Sequence, residues 1–354
     1  MIHDYLIIGL GLAGLSFCEQ LEEDNKTYKV VSDDSQRSSL VAGGLYNPVI
    51  LKRFSLAWNA DIQLQTALPF YKKLEDKFRI QLDHKISVLR RFASIEEQNL
   101  WFEAADKPRL NKFLSPKISL DDIEGIDAPY GYGEVKHTGR IDSNKLITTY
   151  TSFLEQKGNL IKETFRFNKL KIHSDYVEYN STKAHKIVFA TGFGLRDNPF
   201  FNYLPLKGTK GELLTVRIPE LELSRIVKSS VFIIPLQNDL FRVGATYNNY
   251  DKTNVPTEDA KVELVRKLES FLKCNYEIVD HVAGIRPSVV DRKPIVGRHH
   301  VHKHMYVLNG LGSRGVLIAP SIAKQLYEHI ENGQPLSEEI DIDRFSKKYL
   351  TTAS

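Results

Sequence analysis

The stretch "DYLIIGLGLAGLSFCEQLEE", Asp4 to Glu23, decides the fold. Tyr5 to Ile8 is a short unbroken apolar run, as a parallel strand buried on both faces requires. Gly9, Gly11 and Gly14 follow in the spacing G-x-G-x-A-G, with Leu12 and Ala13 between the last two. Helical spacing then runs through Leu15, Cys18 and Leu21, and a second strand, "YKVV", ends at Ser32-Asp33-Asp34. Strand, glycine turn, helix and strand in that order form the dinucleotide-binding fingerprint. Gly9 makes the tight turn, Gly11 lets a pyrophosphate approach the backbone, and Gly14 lets the helix pack on the strand. The first helical N–H groups then offer the phosphates the positive end of the helix dipole. An acidic ribose partner is expected about 20 residues further on. That spacing selects Ser32 or Asp33; a carboxylate accepts both ribose hydroxyls, which favours Asp33.

The totals set the frame. At 354 residues the chain has room for two domains, or one with an inserted lobe. Its 42% hydrophobic and 26% charged residues are those of a soluble globular protein. Cys18 and Cys274 are too few for a disulfide framework and fit a reducing compartment. A net charge of +4, without a dense basic run, does not select a nucleic-acid partner. The apolar start has no basic segment before it and carries Asp4, so it does not read as a signal peptide. No apolar run approaches the length of about 20 residues that spans a bilayer. A cytoplasmic location without a membrane span is expected.

The stretch after the second strand separates flavin from nicotinamide. A nicotinamide domain usually continues into another regular βα unit, whereas "SSLVAGGLYNPVI" offers Ser38 and Ser39, then Ala42, Gly43, Gly44 and Leu45, and a turn ending at Pro48. Hydroxyls followed by a glycine pair suit a backbone laid under phosphates and against a flat ring; the same residues also suit an ordinary surface turn. Here the sequence resembles the D-amino-acid oxidase and glycine oxidase superfamily of FAD-dependent oxidoreductases. Four further segments carry the resemblance: "HTGRIDSNKLITTYTSFLEQKGNLI", "HKIVFATGFG", "GIRPSVVDRKPIVG" and "GLGSRGVLIAP". "GGLYNP" and "LGSRGVLIAP" are most similar to the oxidase domain of the bifunctional enzyme that makes 5-methylaminomethyl-2-thiouridine in tRNA. With its first strand at the start of the sequence, this chain is expected to lack the methyltransferase domain fused to that enzyme.

The resemblance implies an α/β fold. An FAD-binding Rossmann-type domain with a doubly wound parallel sheet would be built from residues 1–75, 135–205 and 281–354. An α+β substrate domain with an antiparallel sheet would comprise 76–134 and 206–280. Asp142 reads as the N-cap of a helix with the stripe Leu146, Tyr150 and Leu154, ending near Gly158. Thr257 reads as the cap of another, with Val265, Leu268 and Leu272. Residues 76–134 show short helical patterns such as "SIEEQNLWFEAA", while "KGELLTVRI", "SSVFIIPL" and "LFRVGATY" read as antiparallel strands.

The resemblance also assigns chemistry. Ala190 and Gly192 would lie beside the flavin, and Phe167 near the adenine. The last helix would point its N-terminus at the flavin's pyrimidine end, where charge develops when hydride reaches N5. Gly312, Ser313, Gly315 and Val316 would close on the ring there, with Arg314 adding a full positive charge. Arg286 would hold a substrate carboxylate in two parallel hydrogen bonds; a buried ion pair, for instance with Asp291, is the structural alternative. Tyr247 would face the substrate side, although a core position suits a tyrosine equally. No general base is demanded, because the flavin carries the difficult step. Ser38-Ser39 fill the slot where some relatives attach flavin covalently, so FAD is expected to be non-covalent. "RHHVHKHMY" holds four histidines, His299, His300, His302 and His304, whose spacing fits a hairpin better than a metal shell.

The leading expectation is therefore an FAD-dependent oxidoreductase acting on the C–N bond of a small amine or amino acid, with oxygen or an electron carrier as acceptor. One alternative is a standalone oxidase removing a carboxymethyl group from a tRNA wobble uridine. Another is a flavin-binding electron-transfer subunit without turnover.

Overall fold

The computed structural model describes residues 1–345. The strand Ile2–Ile8 lies inside a parallel sheet, between Tyr28–Ser32 and Thr182–Phe189. Leu160–Lys162 extends the sheet past Tyr28–Ser32, and Met305–Asn309 extends it past Thr182–Phe189, both in parallel. Ile295–Arg298 closes that edge antiparallel. Tyr5 and Ile7 pack into one hydrophobic cluster while Leu6 and Ile8 pack into a second. Alternate residues face opposite sides of a strand, so both faces of this strand are covered, as its unbroken apolar run requires.

The helices Leu12–Glu23 and Gly315–Asn332 lie together in the first cluster, with the rings of Phe17 and Tyr327 meeting edge to face. A long helix, Ala60–Phe78, joins them; its Tyr71 hydroxyl donates to the Val316 carbonyl at 2.8 Å. That helix was not foreseen from the sequence. The helix Ser143–Gln156 has the expected cap, Asp142 accepting from the Lys145 amide, and buries Leu146, Tyr150 and Leu154.

The second large sheet has eight strands, from Glu277–Arg286 through Thr209–Arg217, Leu240–Gly244, Phe232–Pro235 and Ile226–Lys228 to Val88–Arg91, Tyr132–Val135 and Leu114–Ser119. All neighbours pair antiparallel except Ile226–Lys228 with Val88–Arg91. The antiparallel pairing within 209–244 is the one expected. The strands within 88–135 were not, because runs such as "VLRR" and "LSPKIS" are short and charged, and acquire strand character only by joining this sheet. One face buries Leu214, Val216 and Val243 with Leu264 and Leu268 of the helix Glu258–Glu269. Thr257 caps that helix, but its buried face is Ala260, Leu264 and Leu268, and Leu272 lies beyond its end. The other face meets the segment after the second parallel strand: a Cβ on Gly284 would stand 2.6 Å from Val41, and one on Gly43 would stand 2.9 Å from Ile234.

The histidine run forms the turn between Ile295–Arg298 and Met305–Asn309. His299 is buried, stacked on His300, and its Nδ1 accepts from the amides of Val301 and His302. Burial first, and then the neighbouring His300 and His302, push its pKa down to about 4. The folded state therefore binds fewer protons than the unfolded one between the ordinary histidine value and about pH 4, so stability falls as pH is lowered through that window. Thermal melts at pH 7.5 and pH 5 should show a smaller acid loss for His299→Phe than for the unmodified protein; equal losses would remove His299 as the cause.

Candidate active site

The site starts at the glycine turn. Gly9 has φ of +100° and its Cβ would fall 2.6 Å from the Ala190 carbonyl oxygen; a Cβ on Gly14 would fall 2.0 Å from the Gly9 oxygen. These contacts bring the start of the helix onto the ends of two parallel strands. Leu10 donates its amide to the Ser32 hydroxyl at 3.2 Å, and Leu12 donates to the Ser39 hydroxyl at 3.3 Å. The Gly11 cap supplies no side chain, and among the described residues the amides of Ala13 and Gly14 have no acceptor. Free donors at the positive end of a helix suit an anion. Asp33 accepts from the Ser35 amide and hydroxyl. Partial burial raises its pKa, but hydrogen bonds from Ser35 and Thr164 outweigh that and hold it below the usual aspartate value. Thr164, two residues past the end of the neighbouring strand Leu160–Lys162, had no signal in the sequence.

From Ser38 to Leu45 the chain runs between the two sheets. Ser38–Val41 is a single helical turn, Ala42 is exposed, and Gly44 has φ of +69°. A Cβ on Gly44 would strike the Ile141 carbonyl oxygen at 1.9 Å, so only glycine fits. Leu45 then pairs with Arg140. Gly44 is thus fixed by backbone packing, and Gly43 by the side chain of Ile234.

The last helix meets the first at this place: a Cβ on Gly315 would stand 3.2 Å from Leu12 Cδ1. Gly312 has φ of +57° with open space around it, and its amide donates to the Pro287 carbonyl at 3.1 Å. Ser313 is exposed. Among the described residues the amides of Gly315 and Val316 have no acceptor, so a second set of helix N-terminal donors faces the region served by the first. Asn309 ties the loop down by donating to the Gly192 carbonyl at 2.9 Å.

Arg286 ends the strand Glu277–Arg286, and the residue after it, Pro287, is the one that accepts from the Gly312 amide of this loop. Its guanidinium lies over Gly211, whose missing side chain makes the room, and Nη1 donates to the carbonyls of Thr246 and Lys210 at 3.2 and 3.4 Å. Tyr247 lies 4.4 Å beneath its carbon, 71% exposed rather than in the core. No carboxylate pairs with Arg286 among the described residues; Asp291 is held instead by Arg344 at 2.9 Å. Burial pulls the Arg286 pKa down, with Tyr247 acting against it. Arg314 shows the same balance, burial lowering and Tyr247 raising, and it too has no carboxylate partner among the described residues. Two half-buried cations thus feel the same tyrosine, Arg286 lying directly over its ring, and neither has a carboxylate partner among the described residues.

The structure brings Arg286, Arg314 and Tyr247 together, and it brings Gly9–Gly14, Ser32, Ser39, Ala190 and Gly315 together. Phe167 is not part of either group: its ring packs among Phe165, Phe189 and Phe200. Gly211 and Gly284 were not expected from the sequence; each is an isolated glycine in a strand, the mark of a close approach. Among the described residues no group of three His, Cys, Asp or Glu side chains is placed to hold a metal, and no helix is long and apolar enough to cross a membrane. The free helix-end amides, the obligatory glycines and the open space at Gly312 fit a dinucleotide with a flat ring.

Comparison with known proteins agrees. Residues 4–329 match the family DAO, FAD dependent oxidoreductase. The chain is 22% identical over 308 residues to the tRNA 5-methylaminomethyl-2-thiouridine biosynthesis bifunctional protein MnmC of Legionella pneumophila (strain Corby), covering 82% of this chain and 45% of that one. It is 31% identical over 139 residues to a putative thiamine biosynthesis oxidoreductase ThiO of Rhizobium etli, covering 37% and 42%. The chain thus spans less than half the length of these curated relatives. The fold is that of glycine oxidase from Bacillus cereus, with a TM-score of 0.74 at 19% identity, covering 94% and 96% of the two chains.

Proposed function

Because the chain belongs to the DAO family of FAD dependent oxidoreductases, we propose that it oxidises the C–N bond of a small amine or amino acid bearing a carboxylate, leaving an imine that water hydrolyses. Bound FAD supplies the two-electron acceptor. The observation that carries the substrate half of this reading is Arg286, a half-buried guanidinium held over a glycine with no carboxylate partner among the described residues. Its fork matches a carboxylate in two charge-assisted bonds, and fixing that end of the substrate fixes the reacting carbon. Tyr247 supplies a flat wall under the clamp. Arg314, at the start of the last helix, adds positive charge beside the free amides of Gly315 and Val316, where anionic charge is offset at no cost in reorganisation. The cofactor's phosphates would sit on the amides of Ala13 and Gly14 beside Ser39, and its ribose at Ser32 or Asp33, with no covalent bond to the chain.

The test is anaerobic bleaching of the yellow holoprotein by glycine, sarcosine, proline and D-amino acids, beside amines of the same size without a carboxylate. Rapid bleaching by the carboxylated set alone supports the reading. Equal bleaching by both sets would remove the clamp, and none by any amine would leave a flavin protein of another chemistry. Readmitting oxygen then reports whether oxygen or a separate carrier takes the electrons.

A further inference from the structure

The sheet face that carries Arg286 carries a second unmatched cation. Residues directly opposite in an antiparallel pair share a face. Arg286 pairs with Thr209, and the same face of that strand continues through Gly211, Leu213 and Thr215. Thr215 pairs with Arg242, and Arg242 pairs in turn with Ile234, the residue against Gly43. Arg242 therefore stands on the face turned toward the 38–45 segment, in the row beyond Leu213 and Gly244. Its flanking residues Phe241 and Val243 are buried on the opposite side, which fixes this orientation.

The Arg242 side chain makes no hydrogen bond or ion pair among the described residues, and its Nη1 is buried without a partner. Arg140, whose charge acts on Arg242, is already held by Asp142 at 3.5 Å. Burial lowers the Arg242 pKa; Asp280 and Asp142 act against that and Arg140 adds to it, yet neither carboxylate comes within ion-pair distance. A cation in this position is costly unless an anion joins it. The cofactor's phosphates do not meet the need on the reading above, because they belong at Ser39, next to the end of the segment that packs on Gly284 rather than on Ile234.

We infer that Arg242 anchors a second anionic group of the substrate, so that the preferred substrates are amino acids with two carboxylates, the second on the side chain or on the nitrogen. The spacing suits this. The Arg286 guanidinium lies over Gly211, and Arg242 is opposite Thr215, four residues further along the same strand. At about 3.3 Å per residue that is roughly 13 Å. A short dicarboxylate covers that span once an arginine side chain reaches in from one end and a charge-assisted contact of about 2.8 Å is made at each.

This inference rests on the carboxylate clamp proposed for Arg286, and its test separates the two. Binding of non-oxidisable acids to the holoprotein is followed by perturbation of the flavin spectrum, comparing succinate and glutarate with acetate and propionate. The dicarboxylates should bind at least tenfold more tightly, and Arg242→Met, with unchanged flavin content, should bring them to the level of the monocarboxylates. Arg242→Lys should restore part of the preference. In turnover, Arg242→Met should lower kcat/KM for iminodiacetate at least tenfold and for sarcosine less than threefold. Should the methionine variant fail to fold, the affinity ratio in the unmodified protein still decides. Monocarboxylates binding as well as dicarboxylates, or a preference surviving in Arg242→Met, overturns the inference and leaves the Arg286 clamp standing. Loss of all acid binding in Arg286→Met is the result that bears on the clamp instead.

Discussion

Gly14→Ala should give a protein that is both poorly folded and colourless. Alanine favours a helix over glycine by about 1 kcal/mol, so propensity alone predicts a gain. The added Cβ would meet the Gly9 carbonyl oxygen at 2.0 Å. Both sides of that contact are backbone, and Gly9 has no freedom to retreat because the space behind it is filled by Ala190. Relieving the clash means lifting the helix off the strand, at a cost above about 3 kcal/mol. Gly11→Ala is the informative control. Its Cβ would stand 3.2 Å from the Ser39 hydroxyl, a side chain that can rotate away. That variant should melt within a few degrees of the unmodified protein and still lose flavin, since the methyl group would crowd the phosphates. Melting curves with the flavin absorbance per mole of protein test both. A yellow, stable Gly14→Ala protein would show that the helix does not pack as described.

Arg286→Met should lower kcat/KM for carboxylated substrates by about a hundredfold or more, while an uncharged amine changes less than threefold. Truncating one partner of a buried, hydrogen-bonded charge pair costs about 2–5 kcal/mol, and each 1.4 kcal/mol is a factor of ten. Stability should move the other way. Without its ligand Arg286 is a half-buried cation resting on two carbonyls, and removing such a charge is neutral or stabilising. An unchanged or higher melting temperature together with lost turnover is thus the expected pair of results. Arg286→Lys should rescue little, because an ammonium cannot reproduce the planar fork. A large loss of stability would instead mark Arg286 as part of the fold.

The legible parts of the site share one property, that local chain conformation demands the residue. The G-x-G-x-A-G turn could be read because Gly9 answers to its own positive φ and Gly14 to the Gly9 carbonyl five residues back. Asp142 and Thr257 could be read as caps because each serves an amide three residues on. Phe167 was placed by likeness alone, and its ring packs in an aromatic cluster. The strands of 88–135 were illegible because their charged, short runs are stabilised only by partners from far along the chain, such as Val88–Arg91 against Ile226–Lys228.

The amino-acid sequence by itself determined the parallel βαβ core, the glycine turn and the family, because period, caps and close backbone approaches are local constraints. Only the tertiary structure decided that Gly211 leaves room for Arg286, that Arg286 lies over Tyr247, and that Arg242 shares its sheet face with no carboxylate in ion-pair distance among the described residues. Those facts depend on strand register and on which charges go unpaired, and both are settled by contacts between residues distant in the chain.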